Sequence, residues 1–137
     1  MRIAVIDGQG GGIGKAVVEK LRAAFGGEIS IIALGTNTAA TSIMMKAGAD
    51  EGATGENAIV FNAPKADIIV GSVAVIAANS LLGELTPKMA KAISSSGAKK
   101  VLLPLNRCNI YVAGTSDMSL LHCIDEAVKT IRVLTLA

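Results

Sequence analysis

The chain has 137 residues, 51% of them apolar but only 2% aromatic, and a net charge of +2 from 13 basic and 11 acidic residues. With no basic tract, no Trp, and only Phe25, Phe61 and Tyr111 for stacking, it has no electrostatic or aromatic footprint for nucleic acid. The uncharged run at residues 68–83 has 16 residues, too few for a membrane span, and Asp7 interrupts any leader-like apolar start, so a cytoplasmic protein is expected. Cys108 and Cys123 make no disulfide framework, and one His with two Cys does not make a zinc site. The length suits a single domain over residues 1–137, with a core of Ala, Val, Ile and Leu. A mean hydropathy of +0.55 predicts that a second copy covers some apolar surface, a homo-oligomer.

The first predicted strand is residues 3–6, Ile-Ala-Val-Ile. It runs into Asp7-Gly8-Gln9-Gly10-Gly11-Gly12-Ile13-Gly14-Lys15, where five of nine residues are glycine. The first helix, residues 12–25, carries the stripe Ile13, Val17, Leu21 and Phe25, which is helical spacing, and stops at Gly26-Gly27. Strand, glycine turn and helix start are the parts of a phosphate cradle. Glycine lets backbone approach a ligand, and the helix start offers unpaired N–H groups at the positive end of its dipole.

Residues 29–34 read as strand two, closed by Gly35-Thr36-Asn37-Thr38. A helix at 39–47 ends at Gly48, residues 50–55 read as a turn-rich connector, and 56–62 as a short helix, with a strand as the alternative. Strand three covers 66–70 and ends at Gly71-Ser72, whereas 73–84 is ambiguous between strand and helix. Thr86-Pro87 starts a helix to Ser96, with Thr as N-cap and Pro at the first helical position. Strand four is predicted at 100–103 and strand five at 109–113. The five residues between them cannot hold a crossover helix, so strand five is expected to run antiparallel. The last helix, 117–133, is expected to be capped by Ser116, with Leu121, Ile124, Val128 and Ile131 buried and Asp125 paired to Lys129. Alternating strands and helices predict a three-layer α/β domain, mostly parallel, with the first strand central.

In such a sheet ligands sit outside the carboxyl ends of the strands. The candidate site is therefore the turn from Asp7 to Lys15 with Gly35, Thr36, Asn37, Ser72 and Arg107. Asp7 either caps the turn or holds Mg²⁺, and capping is the commoner role. Lys15 reaches toward a phosphate or lies in solvent, and Arg107 is an anion clamp or a surface arginine. His122 and Cys123 are adjacent on a helix and diverge, which predicts a solvated His and a buried Cys rather than thiol chemistry. No catalytic set is legible.

The stretch Gly8-Gln9-Gly10-Gly11-Gly12-Ile13-Gly14 reads G-x-x-x-G-I-G and resembles the cofactor loop of short-chain dehydrogenases/reductases. A P-loop fits less well, because Ala16 stands where Ser or Thr would ligate Mg²⁺. The reductases' catalytic Tyr-x-x-x-Lys is missing, since Tyr111 is followed four residues on by Thr115. No ribose-reading acid and no Arg stand at positions 35–38, although Thr36 and Asn37 can hydrogen-bond a ribose or a phosphate.

Over nearly its whole length the chain resembles a family of small uncharacterised bacterial proteins with a Rossmann-like fold. The matching stretches lie at 6–14, 33–37, 52–58 and 104–108. The resemblance implies a Rossmann-like domain and no activity. The expected function is binding of a small phosphorylated molecule, a nucleotide or a dinucleotide, with NAD or NADP first. The alternative is a non-catalytic regulatory or interaction protein that keeps the fold without a ligand.

Overall fold

The computed structural model describes residues 1–105, 109–115 and 118–136. Strand β1 (Arg2–Asp7) is followed by α1 (Gly12–Phe25), β2 (Ser30–Gly35), α2 (Thr38–Ala47), β3 (Glu51–Thr54) and α3 (Glu56–Asn62). Then come β4 (Ile68–Ser72), α4 (Pro87–Ser95), β5 (Lys99–Leu103) and α5 (Leu120–Thr135). The five strands form one sheet in the order β3-β2-β1-β4-β5, and every neighbouring pair is parallel. β1 is central, as its apolar run predicts.

Side chains of β1 alternate between two cores, one on each face of the sheet. Ile3 and Val5 join α1 and α5 through Val17, Leu21, Cys123, Ile124 and Ile131. Ala4 and Ile6 face the other side, with Ile59 of α3 and Met89 and Ile93 of α4. Both faces are covered, which is why the strands read as continuous apolar runs.

The antiparallel fifth strand is not there. Residues 109–115 contain turns and no strand, with Asn109 and Gly114 at positive φ and a turn bond from Thr115 N–H to Val112 O. Residues expected to form the fourth strand are β5, parallel to β4. The missing strand is β3, in the stretch read as a connector. It is an edge strand with little to bury, so its sequence lacks an apolar run, and pairing with β2 fixes it instead. Asp50 N–H to Ile31 O and Gly55 N–H to Gly35 O, both 2.9 Å, close the two ends of that pairing. Gly52 is required there, since a Cβ would lie 2.9 Å from both Met45 Sδ and Thr41 Cγ2 of α2.

The last helix starts later than expected, capped by Ser119, whose hydroxyl accepts from His122 N–H at 3.1 Å. Ser116 and Asp117 lie outside the described residues. Cys123 is buried and His122 exposed, as expected, but Leu121 is 56% exposed and leaves the stripe to Cys123 and Ala127. Lys129 pairs with Glu126 at 3.2 Å, while Asp125 meets Lys20 at 3.7 Å. No helix among the described residues is long and apolar enough to cross a membrane.

Candidate functional site

The register aligns the carboxyl ends of β1, β2 and β3, with Asp7 beside Gly35 and Gly35 beside Thr54. Strand order reverses between β1 and β4, which places the β1–α1 turn beside the switch point, the usual ligand crevice of such sheets. A pocket of about 440 Å³ opens over this turn, lined by the seven residues from Asp7 to Ile13 and by Leu120 at the start of α5.

The turn is framed from within. Asp7 is 7% exposed; its Oδ1 accepts from Gly8 N–H at 2.8 Å and its Oδ2 from Gly14 N–H at 2.7 Å. The carboxylate thus spans the turn and caps the first turn of α1, whose N-cap residue, Gly11, has no side chain to do so. This is the capping role anticipated for Asp7. Gly11 N–H bonds Gly8 O and Lys15 N–H bonds Gly11 O, both at 2.9 Å. Among the described residues, the N–H groups of Gly10, Gly12 and Ile13 have no partner in the chain.

The five glycines divide by what surrounds them. A Cβ on Gly8 would fall 2.4 Å from Thr36 Oγ1 and 2.9 Å from Leu81 Cδ1. On Gly11, at φ +75°, it would meet Ile43 Cγ2 at 2.5 Å and the Ala40 backbone at 2.8 Å; on Gly14, Met44 Sδ at 2.4 Å. Packing and backbone conformation require these three. Gly10 and Gly12 are exposed, have nothing among the described residues within 4 Å of a Cβ, and need no positive φ. Gly27 and Gly97 share that freedom, but they precede β2 and β5 at the opposite end of the sheet.

The second frame is a residue that sequence reasoning missed. Glu84 Oε1 accepts from Gln9 N–H at 2.8 Å, Thr36 Oγ1 at 2.6 Å and Asn37 Nδ2 at 2.8 Å. Asn37 also donates to Gln9 O at 3.0 Å and caps α2 by accepting from Ala40 N–H. One carboxylate therefore ties the β1–α1 turn to the β2–α2 turn. The Thr36 hydroxyl, then the Gln9 N–H and the Asn37 amide, hold the Glu84 carboxyl below its ordinary value against the upward push of burial. A strained connection delivers it: Asn79, Leu81 and Leu82 all have positive φ, a conformation that Asn tolerates and that costs each leucine about 1–2 kcal/mol. Leu81, 5% exposed, packs over Gly8 and anchors the connection. The available sequence signal was position: Glu84 is the first charge after the 16-residue uncharged run.

The remaining candidates are dispersed. Gly35 is needed for close packing, since a Cβ would sit 2.2 Å from Thr41 Oγ1. Lys15 is exposed, its Nζ 4.0 Å from Glu19, and does not line the pocket. Ser72 ends β4, is 4% exposed, and does not line it either. Arg107 and Cys108 lie outside the described residues. The structure thus brings together Asp7, the glycine turn, Thr36, Asn37 and the unforeseen Glu84.

Neither the curated proteins nor the solved structures include a match to this chain. One family covers almost all of it: the match spans residues 2–135, and the chain belongs to the family described as Domain of unknown function (DUF3842).

Proposed function

We propose that this protein binds a nucleotide or dinucleotide of the NAD(P) type, with the pyrophosphate over Gly10, Gly12 and Ile13. The observation that carries the reading is the pair Gly10 and Gly12. They are bare where the described residues leave room for a side chain, and they border the pocket beside three N–H groups unclaimed among those residues. Backbone donors and the dipole of α1 fix the ligand without a lysine. The carboxylates of Asp7 and Glu84 border the same turn and disfavour a terminal triphosphate, so a pyrophosphate diester suits the site better than ATP. Leu120 and Leu121, 37% and 56% exposed, support a contact with a second copy at this rim. With no catalytic set legible, a reacting group comes from that copy or from a partner.

A thermal-shift screen at millimolar NAD⁺, NADH, NADP⁺, NADPH and ATP–Mg²⁺ tests the reading. A ligand at about 100 times its Kd adds roughly 2.7 kcal/mol of stability, an obvious rise in Tm. That rise is expected for a dinucleotide and is expected to vanish in Gly12→Asp, which puts a carboxylate over the free donors. An unchanged Tm with every ligand refutes binding. The second reading is a fold-keeping interaction protein without a ligand, favoured by Asp7 and Glu84 already taking the N–H groups of Gly8, Gln9 and Gly14.

A further inference from the structure

Resting on the dinucleotide reading, we propose that Glu84 is the specificity residue of this site. In this role its carboxylate accepts the 2′,3′-diol of an adenosine ribose and excludes a 2′-phosphate, so the ligand is of the NAD rather than the NADP class. Three observations carry this. First, place: Asp7 and Gly35 are paired at the ends of β1 and β2, and Glu84 bonds Gln9, two residues past the first, and Thr36, one residue past the second. This junction is where a nucleotide's ribose meets an acid when a strand-two residue supplies one. Here positions 35–38 hold no acid, and the connection between β4 and α4 brings one in.

Second, valence: Oε1 takes all three donors, whereas Oε2 has no partner among the described residues and is not among their buried unpartnered atoms. A carboxylate oxygen left open in a rigid frame only accepts: it takes a donor such as a ribose hydroxyl and repels an anion. Third, the groups that could have received a phosphate are committed. The Thr36 hydroxyl and the Asn37 amide, the only side-chain donors at 36–37, both point at Glu84. A 2′-phosphate would face an ionised carboxylate, and the side-chain donors at 36–37 do not offset it.

Calorimetric titration of the full chain with NADH and NADPH tests this, repeated with ADP-ribose and its 2′-phosphate so that the nicotinamide plays no part. The wild type is expected to bind NADH and ADP-ribose at least tenfold tighter than their 2′-phosphorylated forms. Glu84→Gln keeps an acceptor oxygen for Gln9, Thr36 and Asn37 while removing the charge. It is expected to weaken NADH about tenfold, leave NADPH unchanged or tighter, and so collapse the preference. Equal wild-type affinities for the two nucleotides, or an unchanged ratio in Glu84→Gln, overturn the role of Glu84 and leave dinucleotide binding standing. Equal wild-type affinities overturn it even if Glu84→Gln misfolds. Glu84→Asp, which keeps the charge, is then expected to keep the preference, and a preference lost there overturns the role only if Glu84→Ala keeps it. No binding of either nucleotide to the wild type overturns the dinucleotide reading, and this inference with it.

Discussion

The inner wall and the outer lip of one nine-residue turn use the same amino acid for opposite reasons. On the inner wall Gly8, Gly11 and Gly14 are glycine because Thr36, Ala40, Ile43 and Met44 leave no room for a Cβ. On the lip Gly10 and Gly12 face open space, and nothing among the described residues forbids a side chain. A glycine cluster in a sequence is therefore two messages superimposed, one about packing between α1 and α2 and one about what approaches from outside. Only the surroundings separate them.

Substitutions break that comparison where the two messages differ. The largest effect is expected at Gly11→Ala: its Cβ collides with the Ala40 backbone and Ile43, and φ is +75°. Overpacking and left-handed strain together predict a loss of about 3 kcal/mol in urea unfolding. A Gly11→Ala protein as stable as wild type would mean that the inner wall is loose.

The Glu84 frame is expected to respond to acid. Its folded-state pKa is lowered from the ordinary 4.5, so its contribution is complete above that value and disappears as pH falls through the lower folded value. The stability difference between wild type and Glu84→Gln should be about 1 kcal/mol at pH 7 and shrink toward zero in acid. A difference that does not vary with pH would show that the charge takes no part in joining the two turns.

The smallest stability effect belongs to the lip. Gly12→Ala is at the first position of α1 in open space, and its Tm should match or slightly exceed wild type, within about 0.5 kcal/mol. Its affinity for the dinucleotide should nonetheless drop at least tenfold, because the new methyl stands over the free donors. Unaltered affinity would move the ligand off this lip.

Much of the fold was legible because the local signals agree with the tertiary outcome. The stripe from Ile13 to Phe25, the Thr86-Pro87 start and the β-branched runs at 31–34 and 68–70 each bury what their period predicts. β3 was not legible, because Glu51-Gly52-Ala53-Thr54 has turn-like chemistry and is held in the sheet by its neighbour's backbone. The expectation of a strand at 109–113 failed for the converse reason: Ile110, Tyr111 and Val112 have strand composition but no strand to pair with among the described residues. In the site, the capping role of Asp7 was readable because the N–H groups its carboxylate caps, Gly8 and Gly14, lie within seven residues of it. Glu84 was not, since its partners Gln9 and Thr36 are 75 and 48 residues away, a separation that no local pattern encodes.

The two edges of the sheet are built alike in one respect. β3 is four residues long and opens on Glu51, ion-paired with Arg2 at 2.8 Å, and β5 opens on Lys99 and Lys100. The most apolar strands, β1, β2 and β4, are kept in the middle. A strand from another chain trying to extend the ladder would have to desolvate charge on either side before gaining a hydrogen bond. A chain this rich in Val, Ile and Leu would otherwise template its own aggregation through those edges, and short, charged flanks oppose it.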